Sequence, residues 1–502
     1  MSQLTSTYSA SSPEVEKAPE VRPERRYLDL SWSNMRWPLF FLLSMSLTGL
    51  QFPLGYLFVA IILINRFRED KYDFIIMLTL FFGGYGLTGQ DTFGPLKMPD
   101  VALGISLIAL FVYRKTDIVR KACIGWALYL AGILIIASFS EESMSIQLRT
   151  IRNYLTFIYF LVPLVMFSRE EFDFNKFTAK LFPFALILCA FYIIDGFILN
   201  GFVFLPRTSL AGAEAESTFY KPILYSFGGP FVRKYPPGLY MMLLCVYPLA
   251  KTYKLRWWQW LLFIGALAAC RTFTVILGFV IGYFVCVLTW RTILKYALIA
   301  IVAFGALYYV DELISTSNMD AHESTLRIKS SIDQIIELGE VQDDVDLADF
   351  GSGRFGQMLP KLEMVREYDR QLTGLGFLHA EFTTNTKYIL INEYYINTEK
   401  SEETAVGVEI EPVQVYINMG YLGLALYFTY FIAMYVLVRR KRYSLYFLSV
   451  LVMSFFDGLG AYGGLTFPVG LLLCGLCFAV VIMGPDKDGY ISAGRVSFSE
   501  LK

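Results

Sequence analysis

Charge is scarce in this sequence. Asp, Glu, Lys and Arg make up 17% of its 502 residues, where a soluble chain carries roughly a quarter. The charges that are present cluster between long apolar runs, 55% of all residues are hydrophobic, and the mean hydropathy is +0.49. That distribution excludes an ordinary water-soluble globule and fits a chain whose solvent is lipid. No basic patch interleaved with aromatics occurs, so nucleic acid is not an expected partner. Of the two histidines, His322 and His379, neither has a Cys or His at ligand spacing; both read as solvated loop residues, and no metal is expected. The seven cysteines (Cys123, Cys189, Cys245, Cys270, Cys286, Cys474 and Cys477) lie in or beside apolar runs. They read as small buried hydrophobes rather than disulfide or zinc pairs. No short apolar run with a small-residue cleavage site opens the sequence, so no secretory signal peptide is expected. The lack of a clear internal repeat counts against an inverted-repeat transporter.

What is present is a succession of apolar runs. Residues 1–36, rich in Ser, Glu, Pro and Arg, read as a disordered tail. Trp37–Leu50 breaks at Gln51-Phe52-Pro53 and resumes to Asn65, which reads as a short hairpin of two spans, with one kinked helix the alternative. Further spans are expected at Phe74–Thr88, Val101–Tyr113, Ala122–Phe139, Tyr154–Phe167 and Leu181–Leu199. Pro237–Ala250, Trp258–Ala269, Phe273–Trp290 and Tyr296–Val310 follow. After a long polar segment at residues 311–411 come Val413–Val438, Leu445–Leu459 and Phe467–Met483, which leaves 485–502 as a second tail. The expected fold is all-α: a polytopic transmembrane helix bundle of about 12–14 spans with one large, partly helical outside loop. In that division residues 37–310 hold most of the spans and 412–484 the last ones.

Basic residues set the expected orientation. Alternate short loops carry Arg66, Arg68 and Lys71; Arg114, Lys115, Arg120 and Lys121; Arg169, Lys176 and Lys180; Lys251, Lys254 and Arg256; Arg291 and Lys295; and Arg439 to Arg442. Such clusters belong on the cytoplasmic side, which puts both termini there. Two segments then fall outside: residues 200–236, and the 311–411 loop, which is too long for a simple connector. In the latter, Ser324–Leu338 and Phe355–Tyr368 have helical apolar spacing, and Glu340–Asp349 is acidic and solvated.

The residues suited to chemistry gather at this outer side. Arg271 joins two apolar runs almost without a connector, where a guanidinium either pairs with an anion or reaches out to the headgroups. Gly351-Ser352-Gly353-Arg354 presents an arginine on a flexible turn, a fork for an oxyanion or simply a solvated side chain. Arg233 and Lys234 precede Tyr235-Pro236-Pro237 at a re-entry point, as an interfacial anchor or, for Arg233, as a third cation. Glu409 and Glu411 flank Ile410 just before Pro412. Helix capping and general-base chemistry are the two readings of that pair. Asp457 is a carboxylate inside an apolar run and so a functional candidate.

In chain order, four segments resemble the O-antigen ligase/polymerase family of integral membrane glycosyltransferases. They are RKYPPGLYMMLL from Arg233, CRTFTVILGFVIG from Cys270, GSGRFGQML from Gly351 with Gly374-Leu375-Gly376 downstream, and VEIEPVQVYINMGYLG from Val408. Together they cover Arg233 to Gly423, and each is degenerate; their order around one long outside loop carries the likeness. Ligases of the family have a histidine eleven residues before the first helix glycine. Here that position is Glu409, and Glu409-x-Glu411 is similar to the acidic pair of many polymerases.

The resemblance implies a polymerase acting on an oligosaccharide carried by undecaprenyl diphosphate, at the periplasmic face of a bacterial inner membrane. It would move the growing glycan onto a second lipid-linked repeat unit without metal or cofactor. Arg271 and Arg354, with Arg233, would bind the diphosphate, and Glu409 and Glu411 would be catalytic. Membrane lipids and a chain-length regulator are the other implied partners. One rival is a ligase delivering glycan to lipid A core or to protein. Another is a flippase for the same lipids, against which the nearly uncharged spans count.

Overall fold

In a computed structural model the chain is described over residues 26–28, 30–49, 52–83, 92–93, 96–113, 115–140, 143–167, 171–198, 204, 240–270, 273–287, 362, 364–377, 389–391, 402–404, 410–459, 465 and 468–487. These residues are mostly helical. The helices are α1 (Trp32–Gly49), α2 (Pro53–Glu69), α3 (Lys71–Phe82), α4 (Met98–Val112), α5 (Asp117–Ala137), α6 (Met144–Leu155) and α7 (Leu161–Met166). Then follow α8 (Phe174–Ile193), α9 (Tyr240–Lys251), α10 (Trp257–Cys270), α11 (Phe273–Val287), α12 (Glu411–Val438), α13 (Ser444–Gly458) and α14 (Pro468–Met483). A 3₁₀ turn at Thr156–Phe160 joins α6 to α7, and a π turn at Ile194–Ile198 extends α8. Three of the helices, α5, α8 and α12, are long and apolar enough to cross a membrane; several others are apolar but shorter. The expected run at Tyr296–Val310 lies outside the described residues.

Apolar side chains face outward as well as inward. Ile124, Leu128 and Ile135 of α5 and Phe428, Ile432 and Val436 of α12 are exposed at helical spacing, with Leu128 as much as 67% open. Water would penalise such faces, whereas lipid accepts them. Between helices in lipid the hydrophobic effect gives little drive, so close packing over small residues takes its place. Gly125 and Gly132 of α5 abut Met434 and Leu426 of α12, and between them the Tyr129 and Tyr430 rings stack at 4.2 Å. This register makes α5 and α12 antiparallel. Gly278 and Gly282 of α11 abut Met453 of α13 in the same way. Gly475 of α14 lies against the backbone of the 3₁₀ turn, whose five residues are all buried. From Gly470 to Gly484 every residue of α14 and its exit is buried, so this helix is the central pillar.

The break at Gln51-Phe52-Pro53 is a hairpin. The Arg66 guanidinium near the end of α2 lies 4.3 Å over the Trp37 ring near the start of α1, which a single kinked helix would forbid. Arg66 also pairs with Asp73 at 3.6 Å, and Lys180 bridges Asp70 at 3.0 Å and Asp73 at 3.1 Å. Tyr253 donates to Asn175 O at 3.0 Å, and Tyr443 stacks on Phe174 at 3.7 Å. Lys441 donates to Gly484 O at 3.1 Å and pairs with Asp486 at 3.0 Å. The basic loops near residues 66–71, 171–180, 251–256 and 439–442 therefore share one end, and the start of α5 joins them through its antiparallel partner α12; the two ends are named inner and outer after the orientation expected from the basic loops.

Six two- or three-residue strands depart from an all-α expectation. β1 (Arg26–Tyr27) runs parallel to β4 (Tyr253–Lys254). β2 (Thr92–Phe93) pairs antiparallel with β3 (Leu96–Lys97), and β5 (Ile389–Ile391) with β6 (Glu402–Thr404), the latter inside the long polar segment.

Candidate functional site

At the opposite, outer end the chain re-enters the bundle at Ile410, whose extended backbone (φ −94°, ψ 109°) caps α12, with a proline in the first turn. Glu411 follows and is buried, with 3% exposure. Its carboxylate reaches beyond its own first turn. Oε2 accepts the Leu465 backbone N–H at 2.9 Å, and Oε1 accepts the Tyr427 hydroxyl at 3.0 Å. Gly458 at the end of α13 leaves room for this carboxylate, since a Cβ there would collide with Oε2. Asp457, buried at 2% exposure, is the adjoining residue. Glu411 thus ties the start of α12 to the connection between α13 and α14.

Glu411 and Tyr427 are sixteen residues apart in one helix, and the reason they can touch is Gly420. Its backbone (φ 62°, ψ −160°) interrupts α12 in a region that essentially only glycine adopts. In an unbroken helix Tyr421 N–H would bond Ile417 O, and Leu422 N–H would bond Asn418 O. Both bonds are replaced. Tyr421 and Leu422 donate to Gln371 O (2.8 Å) and Leu372 O (3.1 Å) of the long polar segment. The freed carbonyls of Ile417 and Asn418 accept from Leu375 N–H (2.7 Å) and Gly376 N–H (3.1 Å). Four backbone groups are thereby satisfied by one inserted segment, as non-helical backbone inside a membrane protein requires.

That segment is itself shaped by glycine. Gly374 (φ 72°) and Gly376 (φ 101°) hold left-handed backbone. A Cβ on Gly374 would strike the Asn418–Met419 peptide, and one on Gly420 would strike Leu372 and Gln371. From the other side, Ser140 Oγ donates to Leu375 O at 3.0 Å and Arg370 donates to Phe139 O at 3.0 Å. Gln147 of α6, with 1% exposure, donates to Ala137 O at 3.0 Å while its Oε1 accepts Phe377 N–H at 3.4 Å. Met364, Val365 and Leu375 of the segment pack with Ile417 as a small separate apolar cluster.

Of the residues singled out from sequence, Glu411 and Asp457 come together here. Arg233, Arg271, Arg354 and Glu409 lie outside the described residues, as do His322 and His379. Helix α11 begins at this same end: Gly278 faces Met453 and Phe456, which directs its start at Phe273 towards Asp457 and Gly458. Cys123, Cys189, Cys245, Cys286, Cys474 and Cys477 are buried, and none of them forms a disulfide. Among the described residues no group of three or more His, Cys, Asp or Glu is placed to hold a metal ion.

Sequence reasoning missed several participants. Tyr427 and Leu465 carried no signal, because only the break in α12 and the fold of the last helices bring them to Glu411. Gln147 fell before the apolar run that was read as starting at Tyr154. Asp195, fully buried in the π turn, accepts Phe204 N–H with both oxygens at 3.0 and 3.1 Å; a carboxylate inside an apolar run should have flagged it as it flagged Asp457. Arg152, in the last turn of α6, pairs at 3.2 Å with Asp100 in the first turn of α4.

The fold and these outward apolar faces define a helical membrane protein. No protein-family model matches the chain, and no curated protein matches it either.

Proposed function

We propose that the chain is a polysaccharide polymerase of the O-antigen or capsule type. It transfers a glycan from polyprenyl diphosphate onto a second lipid-linked repeat unit, at the outer face of a bacterial inner membrane. The observation that carries this reading is the interlock of two motifs far apart in sequence. The glycine pair Gly374/Gly376 and the glycine of the closing element, Gly420, meet in one backbone device beside Glu411. Chain connectivity adds to it. Glu409 is two residues from Glu411 in the sequence, and Arg271 is two residues from Phe273.

In this reading the acceptor hydroxyl attacks the donor's anomeric carbon. A new C–O glycosidic bond forms, the bond from that carbon to the diphosphate breaks, and polyprenyl diphosphate leaves. Glu409 takes the hydroxyl proton. Arg271 and Arg354, with Arg233, neutralise the charge that grows on the diphosphate. Glu411, buried and already engaged by Tyr427 and Leu465, positions the helix rather than exchanging protons. Both substrates arrive through lipid, which accords with the apolar outer faces and with the absence of a nucleotide-binding element from the sequence.

Reconstitution with a synthetic lipid-linked repeat unit tests the reading. A ladder of products is expected. A single transfer to another acceptor would make the protein a ligase, and movement across the bilayer without bond formation would make it a flippase. Glu409→Gln should lower single-turnover transfer by roughly 10²-fold or more while donor binding persists. Single cysteines in residues 200–236 and 311–411 should react with an impermeant maleimide in intact spheroplasts; labelling only after lysis would reverse the orientation.

A further inference from the structure

We propose that the Gln371–Gly376 segment is a plug whose insertion into α12 positions Glu411, and that Gly374, Gly420 and Gln147 are positioning residues of the outer-end site. Its bearing on glycosyl transfer rests on the function proposed above, whereas its geometry stands apart from that function.

Sixteen residues of continuous α-helix rise about 24 Å, more than a glutamate and a tyrosine side chain can bridge. Yet Glu411 Oε1 and Tyr427 Oη are 3.0 Å apart. The break at Gly420 is therefore a condition of that contact, and the break is held open by the plug: four backbone hydrogen bonds replace the two that a continuous helix would make. Without the plug, the carbonyls of Ile417 and Asn418 and the N–H groups of Tyr421 and Leu422 are left facing one another. Their nearest remedy is to reform the helix. Reforming it carries Glu411 along the axis, away from Tyr427, Leu465 and Gly458. Docking of the long polar segment and placement of the carboxylate are thus one event. Gln147 belongs to the device because its amide clamps the far end of the plug at Phe377 to the end of α5 at Ala137.

The test is a distance measurement on the full chain in lipid nanodiscs, with its native cysteines replaced. Spin labels go at Gln414→Cys and Thr429→Cys, fifteen residues apart across the break. In a continuous helix their backbone positions are about 22 Å apart. Gly420→Ala, which favours helix and excludes the observed backbone, should lengthen the measured separation towards that value, and so should Gly374→Ala, which blocks the plug. Gly104→Ala, with nothing within 4 Å of its Cβ, should leave it unchanged. Gln147→Leu, which removes both bonds of the clamp, should lengthen it in part. Unchanged distances in both glycine variants would overturn the plug. If those variants fail to fold, hydrogen exchange in the wild-type protein decides: Leu375, Gly376, Tyr421 and Leu422 amides should open together with one protection factor. Protection of Tyr421 and Leu422 alone would mean that they are held by helix bonds, and the idea falls. Product ladders are scored separately. Lengthening in a protein that never polymerises leaves the plug standing and removes the proposed function, whereas polymerisation with unchanged distances does the reverse.

Discussion

The two ends of the bundle are held by different physics. At the inner end, side chains of opposite charge meet: Arg66 and Lys180 face Asp70 and Asp73, and the loops between helices are short. At the outer end, backbone meets backbone, with a loop spliced into a helix through Gly374, Gly376 and Gly420. The inner end thus depends on charge pairing. The outer end depends on glycines that leave no room for a Cβ. Ion pairs cement a structure whose parts stay put, while backbone insertion brings a distant segment into register to within tenths of an ångström. A site that must be assembled from a long polar loop has use for the second.

The largest effect should come from Lys180→Ala. It strips Asp73, whose side chain is 2% exposed, of its nearer cation and should cost about 3 kcal/mol of stability, the low end for a broken buried pair because Arg66 remains. Replacing Lys180 by Met and Asp73 by Leu together should recover most of it. Denaturation in detergent measures both, and a single mutant within 1 kcal/mol of wild type, by order of magnitude, would erase the contrast between the ends. Next is Gly420→Ala, with about 1–3 kcal/mol lost from strain at positive φ and from the clash with Leu372. A matching substitution at the inner end, Ala122→Ser, offers no such steric test, so the sharper control is Gly104→Ala, expected to be neutral or slightly stabilising. Gln147→Leu should cost about 1 kcal/mol, since its bond to Phe377 N–H is long at 3.4 Å.

The smallest effect is pH dependence at the inner end. Burial pushes the Asp70 carboxyl up, but the Lys180 hydrogen bond and charge, with the Tyr72 and Asp73 N–H groups, outweigh it and hold it below the ordinary carboxylate value. Its contribution to stability is therefore complete above that ordinary value and fades as pH falls through the lower, folded one. Asp70→Asn should flatten this acid limb of the melting curve and leave the outer-end distances untouched. An equal acid limb in the mutant would assign it to another group.

Hydropathy made most of the helices legible, because lipid demands apolar runs and the runs end where charge begins. The expected Val413–Val438 is α12 from Glu411 to Val438, and the expected Leu445–Leu459 is Ser444–Gly458 in the fold.

 The start of α6 was invisible: Met144–Asn153 is mostly polar, so hydropathy began the element at Tyr154. The break in α12 was equally hidden, since the apolar run passes straight through Gly420 and only tertiary contacts select its backbone. At the site, Glu411 and the glycines stood out through their order in the chain. Tyr427, Leu465 and Gln147 did not, because their roles come from where the chain folds and not from local pattern. The hairpin of α1 and α2 needed Arg66 over Trp37 to settle it.

Helix α14 has a consequence for how the protein is made. It is the pillar against which the 3₁₀ turn, α13 and α9 pack, it is buried on every side from Gly470 onward, and its exit is stitched to the α12–α13 turn through Lys441. Yet in chain order it follows every other described helix, so it leaves the ribosome after them. The helices made earlier must wait in the bilayer around an unfilled centre, held apart or loosely gathered, until this last one arrives. Closure of the bundle is then a step that follows synthesis, and a ribosome stalled before Gly470 leaves a set of inserted helices with no axis to assemble on.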